Sequence, residues 1–120
     1  MQSFQKLRAW HSAKDFFVDV YQVTKSFPKE ERYGFTAQMR GAARSISANI
    51  AEGSGYTGER DTARFYQSGF GSSSECYSDM YLAQEVGLLK PEQFEKLERS
   101  LLPARKQLYN LIEAIRHRHR

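Results

Sequence analysis

The chain is poor in the residues that staple or interrupt a fold. It holds one cysteine and three prolines in 120 residues. No apolar run approaches the ~18 residues needed to cross a bilayer. A lone Cys76 rules out an internal disulfide and fits a reducing compartment. The N-terminal stretch "MQSFQKLRAWHSAK" lacks the apolar core of a signal peptide, so the expected location is the cytoplasm, with no membrane partner. With 40% hydrophobic and 13% aromatic residues, disorder is not expected, and residues 1–120 make one domain. Period-two alternation is missing too, which leaves no strand.

What is present has a helical period. Trp10, Ala13, Phe17, Val20, Thr24 and Phe27 follow at spacings of three and four, with Phe16 and Val23 widening the stripe. Pro28 ends that helix. A second helix is expected from about Tyr33 to Glu52, with Phe35, Met39, Ala42, Ile46, Ile50 and Gly53 inward. A third runs from about Asp61 to Val86 over Tyr66, Phe70, Ser73, Tyr77, Met80 and Ala83, and Gly87 stops it. The fourth starts near Pro91 and carries Phe94, Leu97, Leu101, Ala104, Leu108, Leu111 and Ile115, with a kink expected at Pro103. Four helices of about 20 residues with short links predict an all-α, antiparallel up-down-up-down four-helix bundle.

Gly53-Ser54-Gly55-Tyr56-Thr57-Gly58 matches G-x-G-x-x-G. In a dinucleotide fold those glycines follow a strand and open a helix. Here they follow a helix, so they are expected to end helix two, with Thr57 or Asp61 capping helix three. No cofactor is implied. The histidines lack the i, i+4 spacing of helical metal ligands, and no metal site is expected. Cys76 has no obvious base and reads as a small buried hydrophobe. No nucleophile elbow surrounds "GSSSE", so no enzyme activity is expected.

Small residues crowd "RGAARSISANIAEG" and "QSGFGSSSEC". Glycine inside a helix costs about 1 kcal/mol relative to alanine, and close helix–helix approach is the compensating gain. Folding helix two onto helix three about the 57/58 turn places Ala42 opposite Ser73, Arg40 near Glu75 and Glu52 near Arg64. Ser45, Asn49, Glu52, Arg64, Ser72 and Glu75 then form a polar seam, with the Asn49 amide bonded to helix three. A binding groove or acidic patch at these positions is the functional alternative to a seam that sets register.

"LRAWHSAKDFFVDVYQVT", "FPKEERYGF", "QMRGAARSISANIAEG" and "GFGSSSE" resemble the four-helix-bundle proteins associated with intervening sequences in bacterial large-subunit ribosomal RNA genes. The resemblance runs from about Leu7 to Ile115 and is most specific at Ser45-Ile46-x-Ala48-Asn49-Ile50-x-Glu52-Gly53. It implies a ring-like homopentamer with basic surfaces. It also implies kinship to an accessory variability protein of diversity-generating retroelements, which binds a reverse transcriptase and nucleic acid. Pro103 and the basic tail 116–120 depart from the family pattern. Phe4, Phe16 and Tyr21 lie off the main stripe of helix one and are expected to bury against a neighbouring subunit.

The net charge of +4 is unevenly placed. Residues 1–50 hold 8 Lys/Arg against 4 Asp/Glu, residues 51–100 hold 5 against 9, and residues 101–120 hold 5 against 1. Such separation suits a basic face for nucleic acid or complementary subunit faces. The candidate nucleic-acid contacts are Arg40, Arg44, Arg105, Lys106, Arg116, Arg118 and Arg120. The expected function is a non-enzymatic accessory protein for structured RNA or RNA–DNA. The alternative is a scaffold presenting helix faces to a protein such as a polymerase.

Overall fold

The computed structural model describes residues 3–119. Its helices are α1 (Arg8–Thr24), α2 (Phe35–Ser54), α3 (Glu59–Glu85) and α4 (Pro91–Arg118), with short 3-10 turns at Phe4–Lys6 and Lys29–Glu31. No strand occurs among the described residues. Each helix packs on its neighbours in the cycle α1–α2–α3–α4–α1. The result is an antiparallel four-helix rod of 46 × 20 × 19 Å.

The breaks have local causes. Pro28 follows the turn that closes α1, and Gly87 leaves α3 at φ +84°, where a side chain would be strained. Gly58, not Thr57 or Asp61, occupies the cap position of α3, and no side chain caps that end. Glu59 and Asp61 instead place negative charge in the first turn. Pro103 lies exposed inside α4 without ending it. Its missing N–H spares only the carbonyl of exposed Arg99.

The core follows the predicted stripes with shifts in three helices. In α3 Gly69 and Cys76 are buried and the expected Phe70 and Tyr77 only half-buried, in α4 Ile112 is buried in place of Leu111, and in α1 the stripe is centred on Phe16. Val20, Met39, Ile46, Ile50, Cys76, Met80, Leu97, Leu101 and Leu108 are fully enclosed. So is Phe16, expected to face a neighbour but lying at the centre of the α1 stripe Ala9–Ala13–Phe16–Val20–Val23. Trp10 and Phe17 flank that stripe half-buried. Phe4 is half-buried 5.0 Å from the Trp10 ring, and Tyr21 is exposed. The Cys76 thiol points at the Met39 carbonyl oxygen at 3.7 Å, and burial pushes its pKa up to about 12. At neutral pH it is a protonated core group.

The α2–α3 pair is the tightest contact in the bundle. A Cβ on Gly53 would sit 2.9 Å from the Tyr66 ring and 3.1 Å from the Thr62 carbonyl oxygen. One on Gly69 would meet Asn49 Cβ at 3.2 Å and the Ile46 carbonyl at 3.4 Å. Thr62 Oγ1 donates to the Gly53 carbonyl (2.8 Å), tying the helix ends together. The motif glycine Gly53 is therefore a packing position. Ser45 Oγ and Ser72 Oγ bond across the seam at 2.8 Å.

Gly69 and Gly71 share a helix interior, yet a Cβ on Gly71 meets nothing within 4 Å. We expect Gly71→Ala to stabilise by roughly 0.5–1 kcal/mol through helix propensity. Gly69→Ala should cost about 1–3 kcal/mol by forcing the helices apart. Denaturant melts of both variants check this, and shifts of the same sign would contradict the close-approach account.

Candidate nucleic-acid interface

Two of the predicted phosphate contacts are engaged inside the bundle. Arg40 Nε donates to Thr24 Oγ1 at 2.8 Å and its NH2 donates to the Tyr21 carbonyl at 3.2 Å. Its guanidinium lies 4.0 Å from the Tyr21 ring centroid. Arg40 thus braces α1 against α2 and does not pair with Glu75, because α1 offers a hydrogen-bonding oxygen and an aromatic face together. Arg105 donates to Ser73 Oγ and Ser74 Oγ, each at 2.9 Å, and lies 4.5 Å from the Phe70 ring centroid. It joins α4 to α3 in the same manner.

The polar seam also differs in detail. Asn49 is half-buried, and its amide donates to the Ser45 carbonyl (2.8 Å) and Ser45 Oγ (3.0 Å), both within α2. It reaches α3 only through the Ser45–Ser72 bond, and Ser72 Oγ donates on to the Ser68 carbonyl at 3.2 Å. Glu52 and Arg64 do not pair. Arg64 lies 3.5 Å from Asp61 one turn away, a closer option for an exposed chain than reaching across to α2. Glu75 is exposed beside a shallow groove lined by Gly41, Ala42, Ser45 and Ser72.

The remaining basic residues lie on separate faces of the bundle. Arg44 is exposed on α2. Lys106 borders a groove of about 580 Å³ between α1 and α4 with Arg8, Arg99 and the exposed Leu102 and Pro103. Arg116 and Arg118 lie where the C-terminal end of α4 meets the start of α3. Arg120 is outside the described residues.

That end of the bundle is the richest site. α3 and α4 run antiparallel, so the first turns of α3 lie beside the last turns of α4. An open groove of about 1000 Å³ is lined by Arg60, Arg64, Arg116 and His119, by the polar Asp61 and Gln67, and by the apolar Ala63, Ile112 and Ile115. Arg116 pairs with Glu113 on its own helix. Across the helices Glu59 accepts from Arg118 Nε at 2.6 Å and lies 3.0 Å from His119 Nε2. The Arg118 hydrogen bond, with His119 adding to it, holds the Glu59 carboxyl below the usual carboxylate range. Beyond this bridge a second cleft of about 430 Å³ is lined by Tyr56, Thr57, Tyr66, Leu111, Ile115 and Arg118. Arg60, His119 and Tyr56 are not among the predicted contacts, and Arg64, assigned to the polar seam, lies on this groove instead. The i, i+4 pair Arg60/Arg64 was the available signal, since folding about the 87–91 turn brings it beside Arg116.

Comparison with known families decides the kinship. The family described as 23S rRNA-intervening sequence protein matches residues 5–110. The chain belongs to that family. This member also has the fold of a solved protein of unknown function from the S23 ribosomal protein family of Bacteroides thetaiotaomicron. The two share 18% identity at a TM-score of 0.77, over 87% of this chain and 97% of that one. No curated protein matches this family member. The four-helix architecture is thus common to both chains, while the residues lining the end groove are described only for this one.

The Glu59 bridge yields a pH dependence. A depressed carboxyl contributes its clasp above its unfolded pKa and loses it as pH falls through the lower folded value. We expect the Arg118 and His119 amides to be ordered at pH 7 and to gain mobility at a pH below the usual carboxylate range. Glu59→Gln should free them at both pH values. Heteronuclear NOE values for these two amides check this, and equal order in Glu59→Gln at pH 7 would contradict it.

Proposed function

We propose that this chain is a non-enzymatic, oligomeric accessory protein that binds RNA or RNA–DNA through its basic bundle end. The observation that carries the reading is the groove that Arg60, Arg64, Arg116 and His119 line together with the apolar Ala63, Ile112 and Ile115. Guanidinium groups in such a groove suit phosphate oxygens, and contacts to phosphates supply affinity with little sequence selectivity. The family's association with ribosomal RNA intervening sequences supports the same ligand class. A ring-like homopentamer, implied by the family resemblance, would repeat the groove and turn weak contacts into avidity. The proposed location is the cytoplasm.

The scaffold reading rests on a different surface. Tyr81, Leu82 and Val86 are each more than half exposed near the C-terminal end of α3. Such side chains suit a subunit or a protein partner. The two readings separate by salt. RNA held by phosphate contacts should lose affinity steeply between 50 and 200 mM salt, roughly in proportion to the contacts made.

We expect the Arg60→Gln/Arg64→Gln/Arg116→Gln triple variant to lower RNA affinity at least tenfold and to flatten the salt slope by about two to three contacts. Arg40→Gln and Arg105→Gln should chiefly lower the melting temperature. Filter binding at several salt concentrations measures the first effect. Salt-independent binding, or none, would favour the scaffold.

A further inference from the structure

Beyond the phosphate groove, the bundle end carries an aromatic stack that phosphate binding does not use. The Tyr56 and Phe65 rings are stacked, with centroids 5.2 Å apart and planes 12° from parallel. The Arg64 guanidinium lies 4.9 Å from the Phe65 centroid. Tyr56 stands on the α2–α3 turn, is 38% exposed, and lines the 430 Å³ cleft. The same Arg64 lines the cationic groove, and Ile115 borders both hollows. One guanidinium therefore belongs to the phosphate groove and to the aromatic stack.

The turn holds Tyr56 in place by bonds that leave its ring free. Ser54 Oγ donates to the Ile50 carbonyl at 2.8 Å and lies 3.1 Å from the buried Tyr66 hydroxyl. Thr62 Oγ1 holds the Gly53 carbonyl at 2.8 Å. The Ser54 and Thr62 hydroxyls are thus bonded internally, and the cleft offers a ligand ring face, aliphatic wall, the Thr57 hydroxyl and Arg118 paired with Glu59. That combination suits a flat, apolar-faced group attached to an anion. A nucleobase has that form, and aromatic stacking beside a cationic track is how single strands are held without sequence reading. Paired bases keep their faces inside the helix and cannot use it.

We propose that Tyr56 is a stacking platform for an unpaired RNA base, continuing the Arg64–Phe65–Tyr56 column into the cleft while the flanking phosphates lie along the Arg60–Arg64–Arg116 groove. This rests on the RNA-binding reading and assigns it a ligand class: single-stranded or looped RNA in preference to duplex. Arg118 must turn from Glu59 toward the strand, so the bridge is a competitor that the phosphate displaces.

The test uses fluorescence anisotropy of the full chain with a labelled 12-nucleotide single-stranded RNA and a 12-base-pair RNA duplex. Circular dichroism melts confirm that each variant is folded. Wild type should prefer the single strand. Tyr56→Leu, which keeps apolar area but no ring, should lose roughly tenfold on the single strand and nothing on the duplex. Tyr56→Phe should retain wild-type affinity. If wild type binds both RNAs equally and Tyr56→Leu changes neither, the stacking proposal falls and the phosphate groove stands. If wild type binds neither RNA, both fall. An equal loss on single strand and duplex would make Tyr56 a general support of the turn and would also overturn the proposal.

Discussion

The close approach of α2 and α3 is the constraint on which the rest of the structure depends. Gly53 and Gly69 leave room for the Tyr66 ring and for the facing backbone, so the two helices meet with little between them. The short turn between them is then tied by Thr62 to Gly53 and by Ser54 to Tyr66. That fixes where α3 begins, and with it the positions of Tyr56, Glu59, Arg60 and Arg64. α4 returns along α3 and brings Arg116, Arg118 and His119 to the same end. A seam chosen for packing thereby decides where the cations collect.

The arginines divide into two groups by what surrounds them. Arg40 and Arg105 each combine a hydroxyl oxygen with an aromatic face at a helix–helix boundary, and serve as struts. A planar guanidinium can do both at once where an ammonium cannot. Arg60, Arg64, Arg116 and Arg118 are exposed at the bundle end, and exposure to water keeps weak the carboxylate pairs of the last three. Those side chains can change partner at small cost.

Much of the fold was legible in the sequence because helical stripes and breaks are local. The order and approximate limits of all four helices, the role of Gly87 and the small-residue seam follow from spacing alone. The antiparallel register was nearly right, as Cys76 against Met39 and Thr62 against Gly53 show. Side-chain partners were not legible. A long arginine samples many acceptors, and a register that places Arg40 near Glu75 cannot reveal that Tyr21 and Thr24 of α1 offer more. Phe16 was misplaced because the stripe of α1 is centred one residue away from the line drawn through Trp10 and Phe17. At the candidate groove, Arg116 and Arg118 belong to the basic segment 101–120 and are legible from charge, whereas Arg60 and Arg64 lie in the net-negative segment 51–100. Tyr56 sits in a glycine-rich turn, and its pairing with Phe65 depends on the turn's three-dimensional path, which spacing does not carry.

The most direct measurement is a titration of the isotopically labelled chain with a short single-stranded RNA, followed by backbone amide chemical shifts. The account predicts that perturbations concentrate at residues 54–67 and 111–119, with little change near Arg40 and Arg105. Perturbations confined to the α1–α4 groove around Arg8, Arg99 and Lys106, or no perturbation at low salt, would contradict it.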